Sequence, residues 1–290
     1  MRYPYNEKYD HLAELKLVKS ATEGSGIALE KLIQNYQSFI YNIAFRMVLS
    51  PHDAEDITQE ILIKIVTRLN TFRGESSFRT WVNRITVNHI LNMKKKWLEE
   101  RYQTREMYEE ELDHISIEEL YGYSDPEKEI LFEEARLGCL AGMLLCLTRE
   151  QRIVFIMGEI FSVPGEICAE VLEISHEAYR KKLSRARADL YQFMNEKCGL
   201  VNLKNPCRCK SKTKGFIEAG WVDPQNMKFY SAYSKKIFEC VGRKDSKLKK
   251  VEGFDYQYLL QEFPYTEKIP AKEFVERLFK ITSVESIFDI

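Results

Sequence analysis

What this sequence lacks narrows it first. No stretch approaches the roughly 18 consecutive apolar residues of a membrane-spanning helix, so the chain is not read as a membrane protein. The first residues, Met1-Arg2-Tyr3-Pro4-Tyr5-Asn6-Glu7-Lys8, hold no apolar signal-peptide core, and a cytoplasmic protein is expected. An excess of either charge is missing: 43 Lys and Arg against 44 Asp and Glu leave a net charge of −1, which excludes a uniformly basic nucleic-acid coat. Cysteine is modest and odd in number, seven in all, unlike a disulfide scaffold. Only five His are scattered along the chain, and H-E-x-x-H, a Walker loop and G-x-G-x-x-G are all absent, so a metal hydrolase or other enzyme is not expected.

What is there is charge in blocks. From Arg73 to Lys96 six bases stand against the single acid Glu75; from Trp97 to Glu127 eleven acids stand against Arg101 and Arg105. From Arg180 to Lys214 eleven bases stand against Asp189 and Glu196. Any one such run suits a solvated helix face, but two basic blocks on helical motifs point to nucleic acid.

The periodicity predicts an all-α chain in several pieces. They are a lead-in (1–26), a helical block (27–97), an acidic linker (98–127), a second helical block (128–195) and a C-terminal extension (196–290). In the first block Leu29, Leu32, Ile33, Tyr36, Ile40, Ile43, Ala44 and Met47 follow helical spacing, and Ser50-Pro51 stops that helix. Asp53 is read as the N-cap of the next helix, whose apolar stripe is Ala54, Ile57, Ile61, Ile65 and Leu69. Asp56, Gln59, Glu60 and Lys64 fall on another face. A third helix is expected from about Ser77 to Trp97. The loop before it, Asn70-Thr71-Phe72-Arg73-Gly74-Glu75-Ser76-Ser77, sets an aromatic beside an Arg, a combination that stacks on a base and donates to phosphate. An ordinary turn with Phe72 in the core is the alternative.

The second block reads as a helix-turn-helix. Thr148 and Gln151 form a capping box, Pro164 to Leu172 a short helix, Glu173-Ile174 a turn, and Ser175 the N-cap of a helix over Tyr179 to Phe193. Arg180, Lys181, Lys182, Arg185 and Arg187 on that last helix suit major-groove phosphates, and His176, Glu177 and Arg180 lie where base edges are reached. A helical hairpin with a basic, solvated face is the alternative.

Together these motifs resemble the bacterial sigma-70 family, and most closely its small extracytoplasmic-function group. Asp53 to Glu60 followed by Phe72 to Trp81 resembles region 2; Leu172-Glu173-Ile174-Ser175 with Leu183-Ser184-Arg185-Ala186-Arg187 resembles region 4. The resemblance covers residues 27–195. Glu173 and Tyr179 depart from it, standing where the family has small residues.

The resemblance implies a sigma factor, with no catalytic residue and no required cofactor. Asp56, Gln59 and Glu60 would dock on the β′ clamp helices of core RNA polymerase, whose β flap is a second contact. Phe72, Arg73, Gly74, Glu75, Ser76 and Ser77 would capture a base of the promoter −10 element, with Trp81, Arg84, Asn88 and Lys95 supporting strand opening. Ser175, His176, Glu177, Tyr179, Arg180, Lys181, Arg185 and Arg187 would read the −35 element. The acidic linker would thread a channel built for RNA, and an anti-sigma factor is a further partner the group implies. A stand-alone helix-turn-helix regulator is the alternative function.

The extension carries Cys198, Cys207 and Cys209 close together, with Cys240 farther on. A structural zinc site, a redox-sensing thiol cluster and inert cysteines are the three readings. Phe254 to Leu260 and Phe274 to Ile287 read as helices of a small module, regulatory or plain core.

Overall fold

In a computed structural model of the chain, residues 10–102 and 104–229 are described. The expected module at 254–287 and Cys240 lie outside them. The described residues form helices and no strand: α1 (His11–Thr22), α2 (Gly26–Val48), α3 (Pro51–Thr67), α4 (Phe78–Asn92), α5 (Trp97–Arg101), α6 (Arg105–His114), α7 (Asp125–Leu145), α8 (Arg149–Phe155), α9 (Gly165–Val171), α10 (His176–Lys197) and α11 (Cys209–Glu218). The all-α expectation holds for them. Two compact units form, and they do not follow chain order: residues 10–95 with 156–182, and residues 96–155 with 183–229.

In the first unit α2 buries every residue of its predicted stripe, from Leu29 to Met47. It ends where Leu49 turns left-handed, at φ 55°, and its N–H returns to Phe45 O. The next helix begins one turn earlier than expected. Ser50 Oγ accepts the Asp53 N–H at 3.3 Å and Pro51 takes the first helical position, so Ser50 and not Asp53 is the N-cap. Asp53 sits instead in the first turn, where its charge meets the positive helix end. The stripe of α3 is buried as read.

Two expectations are corrected here. The lead-in contains α1, capped by Asp10, which buries Val18 and Ala21 and sets the Glu14 carboxylate to accept from Tyr36 Oη at 2.5 Å. The third helix is shorter than read: α4 stops at Asn92, and Lys94 and Lys95 lie outside any helix. A new helix starts at Trp97, where the Glu99 carboxylate accepts the otherwise unpaired Lys96 N–H at 3.2 Å.

The later part of this unit is built into the same core. A π-helical turn, Ile156–Ile160, leads to Phe161, which is fully buried. Its ring stands edge-on to Phe39 with centroids 5.1 Å apart, and the buried Arg46 guanidinium lies 4.9 Å from its centre.

In the second unit the acidic linker is folded. Helix α6 buries Tyr108 and Leu112, and Tyr108 Oη donates to Cys139 O of α7 at 2.9 Å. Gly142 permits this approach, since a Cβ there would come within 2.5 Å of the Tyr108 hydroxyl. The extension closes over the other side. Trp221 stacks on Tyr108 and Phe216, with centroids 5.2 and 5.0 Å away, and donates through Nε1 to Glu111 at 2.7 Å. Buried Lys212 donates to Leu112 O, a cation at the negative end of α6. Lys197 pairs with Asp113 at 2.6 Å, Lys210 with Glu129 at 2.8 Å, and Lys214 with Glu118.

Gly215 is the tight point of that closure. A Cβ there would lie 2.8 Å from Ile115 Cγ2 and from Ser116 O. Gly215→Val is therefore expected to cost about 1–3 kcal/mol of stability through overpacking against backbone. A thermal melt checks this, and an unchanged melting temperature would show that α11 is not held against the linker.

Candidate nucleic-acid interface

Three groups of residues on the described chain suit macromolecular contact. The first is the outer face of α3. Asp56, Gln59 and Glu60 are exposed, as the helical spacing predicts. Ile63 lies on the same face and is 43% exposed. Sequence reasoning missed it because an Ile beside a buried stripe reads as core; the signal was its spacing of three and four from Glu60 and Gln59. Lys64 is not part of the open face, since its Nζ sits 2.6 Å from Nδ1 of buried His89 on α4. Burial first, then the Lys64 charge, lowers the pKa of His89. The neutral ring bridges α3 and α4, with Nε2 3.1 Å from Glu60 Oε2.

The second group is the loop between Thr71 and α4. Phe72 is neither a plain core residue nor open: it is half-buried, edge-on to Phe78 and Trp81 at 5.2 and 5.7 Å. Trp81 in turn stacks on fully buried Phe78 at 5.4 Å. Three rings thus fix the base of the loop while Arg73, Gly74 and Glu75 stay exposed. Gly74 takes φ +74°, a conformation that side chains resist. Ser77 already has work in the fold, since its Oγ accepts the Thr80 N–H at 3.0 Å as the N-cap of α4. Asn88 and Lys95 are exposed. Arg84 is half-buried, and its guanidinium faces Glu170 at 3.8 Å and Glu173 at 3.5 Å, with Nη2 also 3.5 Å from Glu170 O.

The third group is the turn from α9 into α10. The Ile174 N–H bonds Ala169 O at 3.1 Å and the Glu173 N–H bonds Glu170 O at 3.2 Å, which is a Schellman ending for α9. Glu173 holds the left-handed position at φ 55°, where a Glu costs up to about 1 kcal/mol relative to Gly. Ser175 caps α10 by accepting the Ala178 N–H at 3.1 Å. Ser175, His176, Glu177, Arg180, Lys181, Arg185 and Arg187 are exposed along α10. Tyr179 is corrected: it is 3% exposed and packs on Gly165, whose Cβ would meet its ring at 3.2 Å. It fills the inside of the motif, in the place of the usual small residue, and does not face a groove.

The cysteines gather more widely than the sequence suggested. Buried Cys139 of α7 lies in the electrostatic neighbourhood of Cys198, Cys207 and Cys209. Burial raises the pKa of each of these thiols. Among the described residues, however, no three His, Cys, Asp or Glu side chains are arranged to hold a metal ion. Cys240, the fourth candidate ligand, lies outside the described residues, and burial keeps the described thiols in their protonated form. The linker's charges are likewise answered within the unit: Glu111 pairs with Arg101 and Glu109 with Arg105, which also meets Glu196 of α10.

No helix of the described residues is long and apolar enough to cross a membrane. Residues 32–97 match the family model for Sigma-70 region 2, and residues 137–190 that for Sigma-70 region 4. The chain is 27% identical over 167 residues to the ECF RNA polymerase sigma factor SigE of Mycolicibacterium smegmatis, a match spanning 57% of this chain and 61% of that protein. It is 29% identical over 184 residues to the ECF RNA polymerase sigma-E factor of Escherichia coli (strain K12), spanning 61% and 92%. A solved structure of CnrH in complex with the cytosolic domain of CnrY is similar at 21% identity and a TM-score of 0.45, over 63% of this chain and 98% of that one.

Proposed function

The chain belongs to the sigma-70 family, in its extracytoplasmic-function group, and from that premise we propose that it is a sigma factor: it joins core RNA polymerase and directs it to promoters. The α3 face of Asp56, Gln59, Glu60 and Ile63 docks on the polymerase β′ clamp helices. The loop from Phe72 to Ser77, with Trp81, Arg84, Asn88 and Lys95, takes the −10 element. The exposed basic side of α10 takes the −35 element and lies near the β flap. An anti-sigma factor is a further partner. No step here makes or breaks a covalent bond. Extruding a base costs a few kcal/mol, which an aromatic platform and phosphate contacts offset.

The observation that carries this reading is the exposed polar face of α3 beside the ring-supported loop. A stand-alone helix-turn-helix regulator has no use for either. Pull-down with core RNA polymerase, followed by transcription of genomic DNA with mapped start sites, tests the proposal. Specific start sites are expected; absence of polymerase binding leaves the stand-alone regulator.

The basic helix gives a further prediction. Arg180→Ala is expected to weaken binding of the holoenzyme to −35 DNA and to lower the slope of log affinity against log salt by about 1. Titration of labelled promoter duplex at several salt concentrations measures both. An unchanged slope would place Arg180 away from the phosphates.

A further inference from the structure

We propose that His89 of α4 is a positioning residue for polymerase docking, whose ring holds the Glu60 carboxylate ready on the outer face of α3; this rests on the sigma reading above. The Glu60 side chain is 63% exposed, and a free Glu spreads over many rotamers. Ordering it at the moment of docking costs affinity unless the fold has ordered it beforehand. Among the described residues, His89 is the side chain that pairs with it. The His89 side chain is only 6% exposed. It reaches across from α4 to two residues of α3 that stand one turn apart, Glu60 and Lys64.

The two ring nitrogens fix each other's roles. Lys64 Nζ stands 2.6 Å from Nδ1, and an ammonium only donates, so Nδ1 accepts. A neutral ring then carries its proton on Nε2. Burial and the Lys64 charge both keep the ring neutral. Nε2 is buried, and the acceptor within its reach is Glu60 Oε2, 3.1 Å away but off the line of a straight hydrogen bond. The exposed carboxylate straightens that bond by turning, whereas the ring is held by its packing. The fold therefore sets the donor, and the carboxylate follows it. Lys64, His89 and Glu60 form one chain of polar contacts, running from the ammonium to the docking face. A leucine at position 89 would fill the same seat between the helices and orient neither neighbour. Plain packing has no need of a donor aimed at an exposed carboxylate.

The test titrates the labelled full chain with core RNA polymerase and reads binding by fluorescence anisotropy. His89→Leu is expected to weaken binding about three- to tenfold, the cost of ordering one free side chain. His89→Gln, whose amide accepts from Lys64 and donates to Glu60, is expected to restore most of that loss. In a Glu60→Ala background His89→Leu is expected to change affinity no further, because His89 acts through Glu60. Nitrogen-15 NMR of the parent ring at neutral pH is expected to place the proton on Nε2. Melting temperatures show whether each variant keeps its fold. Should His89→Leu fail to fold, Lys64→Met takes its place: it leaves the ring but removes the donor that sets its tautomer, and is expected to weaken docking about twofold or more, again with no further loss in the Glu60→Ala background. A proton on Nδ1, equal losses in both backgrounds, or parent-like affinity of the folded variant would overturn the proposal. Absence of polymerase binding by the parent chain removes the sigma reading and the proposal with it, whereas firm binding with an indifferent variant removes only the proposal.

Discussion

Replacing Glu99 by Ala is expected to lower the stability of the second unit by about 3–5 kcal/mol. Its carboxylate is 2% exposed and stands between two guanidinium groups. Arg149 donates to it at 2.8 and 2.6 Å, and Arg152 at 3.0 Å. Removing the anion leaves two cations facing each other in a buried place. Arg152 keeps its bonds to Leu144 O, Leu145 O and Leu147 O, at 3.0 to 3.1 Å, which moderates the loss. Glu99→Gln keeps the volume and one acceptor, and is expected to fall between the Ala variant and the parent.

The same network sets a pH dependence. Burial alone would raise the Glu99 pKa, but the Arg149 hydrogen bond and the Arg152 charge outweigh it and hold the carboxyl low. The folded carboxyl therefore binds its proton less readily than the unfolded one, whose pKa is about 4.3. Its contribution is fully present above that value and is lost as pH falls through the lower folded value. Thermal melts from about pH 6 to about pH 3 should show the parent losing stability faster than Glu99→Gln. Parallel curves would mean that another carboxylate governs acid unfolding.

How much of this was legible depended on the range of the signal. Local periodicity marked the stripes of α2 and α3, and the Thr148–Gln151 box marked the start of α8, where the Gln151 N–H does bond Thr148 Oγ1 at 3.2 Å. Caps one turn apart were confused, because Ser50 and Asp53 are both good N-cap residues and only the position of Pro51 separates them. The fold of the linker is hidden for a different reason. Its acids read as solvated or meant for a channel, yet their partners lie far off in sequence: Lys214 pairs with Glu118 across 96 residues. Neither charge pattern alone reveals such a match. Tyr179 was misread because a tyrosine at the start of a basic helix resembles a DNA contact, and only Gly165 opposite it reveals the pocket it fills.

Phe72→Ala is expected to slow open-complex formation by roughly five- to a hundredfold while leaving closed-complex binding near the parent level. The magnitude follows from base–aromatic stacking of about 1–3 kcal/mol and tenfold per ~1.4 kcal/mol. The ring has a second duty, because it packs edge-on against Phe78 and Trp81. An Ala there removes both the platform and part of what orders Arg73 and Glu75. Three measurements separate the two duties. Phe72→Tyr keeps the ring and should open promoters at close to the parent rate. The melting temperature of Phe72→Ala reports the packing loss directly. Binding of the holoenzyme to duplex DNA at low temperature, before melting, reports the closed complex. If open and closed complexes weaken equally, the ring only holds the fold, and the exposed run from Arg73 to Glu75 captures DNA without it. If only opening suffers and Tyr restores it, the half-buried placement has a mechanical sense: two neighbouring rings fix Phe72 in advance, so stacking on an extruded base does not first have to order the loop.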